Sequence, residues 1–81
     1  MPISATRLNA EAMSVEFVDA SIRVALADGR EVSAPIAWFP RLRDASPEQR
    51  ANWRLIGHGE GVHWPDIDED VSVNALLGLP T

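Results

Sequence analysis

The 81-residue chain has no cysteine, so disulfides and thiolate metal sites are excluded and only packing and hydrogen bonds hold the fold. It also has no lysine: all seven basic residues are arginine. We attribute that bias to base composition of the source genome rather than to a recognition role, although arginine forms the better bidentate pairs. No apolar run approaches the roughly 18–20 residues of a spanning helix, and the first residues show no basic segment followed by an apolar one. A cytoplasmic protein is expected. Catalytic and cofactor motifs are lacking too. No serine stands in a nucleophile elbow, and the Gly57-His58-Gly59-Glu60-Gly61 run has neither the dinucleotide nor the P-loop spacing.

What is present describes one small domain over residues 1–81. An apolar fraction of 46% with 23% charged residues is that of an ordinary globular protein. At this length only about 60–65% of the unfolded chain's surface is buried, so the core is small.

Charge is unevenly placed. Residues 1–57 carry seven arginines against seven acids: Glu11, Glu16, Asp19, Asp28, Glu31, Asp44 and Glu48. Residues 58–81 carry five acids (Glu60, Asp66, Asp68, Glu69 and Asp70) and no base, so the whole net charge of -5 sits there. Such a segment repels polyanions, which argues against direct nucleic-acid binding.

Residues 3–8 alternate weakly and predict a short first strand. From Ser14 the period of two sharpens through Val15, Phe17, Ile22, Val24 and Leu26. Asp28-Gly29 supplies positive φ for a tight hairpin, and Pro35 ends the pairing of the next strand. Residues 14–35 thus predict an antiparallel meander. Pro40 then suits the first position of a short helix, with Trp38 and Leu42 on its inner face. Ser46-Pro47-Glu48-Gln49 has the form of a capping box opening a helix that runs to about Trp53. Leu55-Ile56 and Val62–Trp64 read as strands on either side of a glycine turn. Ser72 caps a last helix over residues 73–77, with Gly78 and Pro80 as its stop. All three tryptophans are expected to be core.

The candidate chemistry lies in residues 58–70. Asp66, Asp68 and Asp70 resemble the opening of a calcium loop, but Val71 stands where the loop's glycine belongs and Leu77 where its last glutamate belongs. Placed just before a helix, these acids read better as its favourable N-terminal charges. Arg41, Arg43, Arg50 and Arg54 are expected to face the acid run, so charge reversal at Arg50 or Arg54 should destabilise the fold. His63 and Asp66, with His58 nearby, form the nucleus of a rival reading as a metal centre or enzyme.

The segment GVHWPDIDEDVSV at residues 61–73, followed by Ala75-Leu76-Leu77, resembles the C-terminal signature of the bacterial domain-of-unknown-function family numbered 2442. Asp28-Gly29-Arg30, Phe39-Pro40-Arg41-Leu42 and the run from Gln49-Arg50 to Trp53 are similar to it as well, so the resemblance covers nearly the whole chain. It implies an α+β fold: a small antiparallel β-meander with two or three short helices. It implies no reaction and no cofactor. Members of that family are similar to small proteins encoded beside another short protein in the manner of toxin–antitoxin pairs, some with an appended helix-turn-helix. Such an appendage is not expected on this chain, so DNA binding would have to come from elsewhere or be missing.

The expectation is therefore a non-enzymatic interaction module for a small basic protein. Glu60, His63, Asp66, Asp68 and Glu69 form its docking residues. No metal, cofactor, membrane or nucleic-acid contact is expected, and an unprotected meander edge leaves room for a homodimer. The alternatives are the metal or enzyme centre at His63 and Asp66, and an acidic nucleic-acid mimic.

Overall fold

Alternating apolar residues build the first sheet. The computed structural model describes residues 8–79, where β1 (Ala12–Val18), β2 (Ser21–Leu26) and β3 (Glu31–Pro35) pair antiparallel in that order. On β2, Ile22, Val24 and Leu26 are buried while Ser21, Arg23 and Ala25 are half-exposed. Val15, Val24 and Val32 form one cross-strand row, and Phe17, Ile22 and Ala34 the next. The meander starts two residues earlier than its period suggests. Ala12 pairs with Leu26 and Ser14 with Ala25, so Met13 is an extra, bulged residue. The bulge re-phases the strand, letting buried Ala12 share a face with Val15 and Phe17.

The β2–β3 loop meets the turn expectation with one change. Leu26 N–H donates to the Arg30 carbonyl at 2.8 Å, and Gly29 N–H to the Leu26 carbonyl at 3.1 Å. Only Gly29 takes positive φ, at 92°, as in a three-residue hairpin loop closed by a glycine. The strand expected over residues 3–8 lies outside the described residues except for Leu8, which is exposed and not in a strand.

A 3-10 turn (Ile36–Trp38) leads into α1 (Pro40–Arg43) and α2 (Pro47–Ala51). The capping box forms: Gln49 N–H donates to Ser46 Oγ at 3.1 Å and Ser46 N–H to Gln49 Oε1 at 2.9 Å. α2 ends at Ala51 rather than reaching Trp53. Leu42, on α1, is fully buried, but Trp38 is 65% exposed, against expectation. The turn explains it. With about three residues per turn, Ile36 and Phe39 share the inner face and Trp38 points away.

The second sheet comprises β4 (Arg54–Ile56), β5 (Gly61–Trp64) and β6 (Glu69–Ser72), antiparallel in that order. β4 and β5 match the sequence reading. β6 corrects it in part: the acids do stand just before a helix, but Glu69 and Asp70 belong to a strand, and the capping side chain is that of Ser72. Val71 is the strand's one apolar residue, so no period was visible; pairing against Val62 and Trp64 decides the conformation instead. The helix entrance itself is Ser72, whose Oγ accepts from Ala75 N–H at 3.2 Å at the head of α3 (Val73–Leu76). At the other end Gly78 takes φ 75°, Leu79 N–H donates to the Asn74 carbonyl and Gly78 N–H to that of Ala75. That is the double bond of a Schellman stop. The Pro80 expected to follow it lies outside the described residues.

Both sheets feed one core. Ile22, Val24, Leu42, Val62, Trp64, Val71 and Val73 are buried together. Trp64 is its largest member; its indole N–H donates to the Arg50 carbonyl at 3.0 Å, and its ring meets Phe17 edge-on at 6.3 Å. The sheets are also tied through the backbone, by Ala12 N–H donating to the Gly59 carbonyl at 2.8 Å.

Candidate functional site

The β5–β6 hairpin gathers four of the five acids of residues 58–81. Its last cross-strand pair is Trp64 with Glu69, leaving residues 65–68 as the turn. Asp68 adopts φ 51° there, a conformation that aspartate tolerates better than most side chains. The turn is braced from the helices. Arg41 donates to the Asp68 carbonyl at 2.6 Å, and Asn52 Nδ2 donates to Asp66 Oδ2 at 3.0 Å. Glu69 Oε1 accepts from the Asp70 N–H at 3.1 Å.

His63 and Asp70 face each other across β5 and β6, and His63 Nδ1 is joined to Asp70 Oδ1. Their side chains are 34% and 66% exposed, so the pair stands on the outer face of the sheet. Arg54 is the next residue in the same row, on β4.

The expected docking set is therefore divided. Asp66, Asp68 and Glu69 lie together at the hairpin tip, and His63 sits behind them with Asp70, a residue the sequence reading left out of the set. Glu60 lies at the opposite end of β5, where Oε2 accepts the His58 N–H at 3.1 Å and closes the 57–60 loop. The His63–Asp70 pairing could have been found only by recognising β6 as a strand.

The expected arginine pairing is corrected as well. Arg50 donates to the Leu42 and Arg43 carbonyls, each at 2.9 Å, and its guanidinium lies 5.3 Å from the Phe17 ring centroid. Arg43 pairs with its neighbour Asp44 at 3.0 Å. Among the described residues, no arginine pairs with the carboxylate of Asp66, Asp68, Glu69 or Asp70. Instead Arg50 is turned onto the carbonyls of Leu42 and Arg43, Arg43 onto Asp44, and Arg41 reaches the hairpin only at the Asp68 carbonyl.

Nor does the structure bring His63 and Asp66 to a common point, since His63 takes Asp70 and Asp66 takes Asn52. Among the described residues no three His, Asp or Glu side chains converge as a metal ion would need.

An apolar cleft of about 420 Å³ runs beside the acidic strand, lined by Trp38, Phe39, Val71, Ala75 and Leu76, with Asp70 and Ser72 at β6. Sequence reasoning missed it because Trp38 was assigned to the core. A second cleft of about 320 Å³, between β1 and α2, is crossed by the Arg50 side chain over Phe17 and carries no comparable charge.

This geometry is that of a small α+β protein of two three-stranded sheets, here with an acidic hairpin beside an apolar cleft. The chain belongs to the family described as protein of unknown function DUF2442, whose model matches residues 12–79. It is similar to a crystal structure of a protein of unknown function from Rhodospirillum rubrum, with 26% identity, 85% of this chain and 87% of that chain covered, and a TM-score of 0.69. No curated protein matches it. Among the described residues no helix is long and apolar enough to cross a membrane.

Proposed function

We propose that the chain is a non-enzymatic interaction module, the acidic neutralising partner of a small basic protein encoded beside it. The observation that carries this reading is the hairpin at residues 66–70, where four carboxylates crowd together and, among the described residues, none has an arginine partner. Carboxylates already paired within a fold contribute little to the outside field. Carboxylates with no arginine beside them among the described residues, as at Asp66, Asp68 and Glu69, attract a cationic surface and raise its rate of association. Trp38, largely exposed beside them, is the kind of residue that supplies most of the affinity once partners meet. Neutralisation would follow from occlusion of the partner's surface, with no chemical step.

The rival readings lack such an observation. A metal or enzyme centre at His63 and Asp66 has its two key side chains committed to different partners. A nucleic-acid mimic needs a longer row of carboxylates than one hairpin offers.

The test is co-expression with the product of the adjacent reading frame. A complex that survives size-exclusion chromatography, and whose association slows as salt rises, is expected. Separate elution of the two proteins overturns the proposal.

A further inference from the structure

β6 is the outer strand of its sheet, and the bond from Val73 N–H to the Glu60 carbonyl sets the phase of its ladder. Residues 69, 71 and 73 turn their backbone groups toward β5, so residues 68, 70 and 72 turn theirs outward. Three of those outward groups are already taken. Arg41 holds the Asp68 carbonyl, the Glu69 carboxylate holds the Asp70 N–H, and the Ser72 carbonyl opens the first turn of α3. On the strand itself, and among the described residues, the Asp70 carbonyl and the Ser72 N–H are left.

These two groups flank Val71, and they are of opposite kind. Antiparallel pairing uses the N–H and C=O of one residue, which neither Asp70 nor Ser72 can offer. Parallel pairing uses the C=O of the residue before the partner and the N–H of the residue after it. One residue of a parallel strand, set opposite Val71, satisfies both. Its side chain shares the face of Val71, and therefore the apolar cleft beside Trp38 and Leu76.

We infer that this edge binds an extended segment of a partner protein by parallel strand addition, with a large apolar residue in the Trp38 cleft and arginine or lysine on either side of it. The inference rests on the interaction-module reading and specifies its geometry. Charge fixes the kind of segment: Asp68, Glu69 and Asp70 border the edge, and the nearby Arg41 is committed to a carbonyl. A second copy of this chain suits the edge poorly. Its own β6 would oppose acids to acids, and a two-fold axis would set the two strands antiparallel.

The probe is the peptide acetyl-Thr-Val-Arg-Leu-Arg-Val-Thr-amide, titrated into the full chain labelled with nitrogen-15. Hydrogen exchange at the Ser72 amide should slow by at least about tenfold at saturation, and Trp38 emission should change. Trp38→Ala should weaken binding by at least about tenfold, and its exposed position leaves the fold intact, to be checked by circular dichroism. N-methylation of the peptide leucine removes the N–H meant for Asp70 and should weaken binding as much, with no change to the protein. Glutamate in place of both peptide arginines should abolish it.

Three results overturn the inference. Binding that moves hairpin resonances but leaves Ser72 exchange and Trp38 unchanged keeps the charge-based reading while removing strand addition. No binding at millimolar peptide removes it outright. Protection of Ser72 that grows with protein concentration alone assigns the edge to a second copy. Failure of the interaction reading itself shows separately, in the co-expression experiment.

Discussion

A single carboxylate closes the β2–β3 hairpin. Asp28 accepts the Asn9 N–H at 2.8 Å, the Arg30 N–H at 3.1 Å and the Arg30 guanidinium at 2.9 Å, with its side chain only 2% exposed. The Arg30 side chain first, and the Asn9 amide next, hold its carboxyl down to about 2 from an ordinary 3.8. The unfolded chain therefore binds a proton that the folded chain refuses. The resulting stability is complete above the ordinary value of 3.8 and is lost as pH falls through about 2. Asp28→Asn should lower the thermal midpoint at neutral pH and flatten its fall in acid. Asp44, held low by the adjoining Arg43, acts with the same sign in both proteins and cancels from the comparison. Melting curves of wild type and variant that stay parallel from neutral pH down into strong acid would remove Asp28 from this role.

At the scale of elements, the 57–60 loop joins two sheets as well as two strands. Gly59 has φ 103°, and a Cβ placed on it would lie 2.7 Å from the Ala12 carbonyl oxygen, at the point where Ala12 bonds back to Gly59. Neither the backbone of β1 nor the loop can give way cheaply. Gly59→Ala should therefore cost about 2–3 kcal/mol, combining a strained backbone with a steric clash; chemical denaturation measures it, and a loss within 0.5 kcal/mol, the ordinary range for an uninvolved surface site, would show that the loop and β1 do not need this approach. How legible each element was follows from how local its cause is. β2 alternates strictly and α2 opens with its own capping box, so both stood in the sequence. β6 owes its conformation to pairing with β5, and the exposure of Trp38 depends on a 3-10 turn that apolar character alone does not announce. The acid run was legible as charge. Its place, on a hairpin tip and the strand that runs on into α3, was not.

Taken whole, the molecule has no seam along which its two sheets could part. The core draws Ile22 and Val24 from one sheet and Val62, Trp64 and Val71 from the other. Arg50 fastens α1 to α2 through carbonyls, while its own carbonyl receives the Trp64 indole. That network was invisible in the sequence, where Arg50 read as a surface cation seeking an acid; the wiring appears only once α1, α2 and β5 are in place. A chain of this length has a total stability of only about 4–12 kcal/mol, too little for either sheet to persist without the other. Urea unfolding followed by tryptophan emission, dominated by the change around Trp64, should then coincide with unfolding followed by far-ultraviolet circular dichroism. The Gly59→Ala variant sharpens the test. If the shared core couples the sheets, the substitution lowers one common midpoint; if the Ala12–Gly59 tie alone couples them, the variant's two transitions separate, and the single-core account fails.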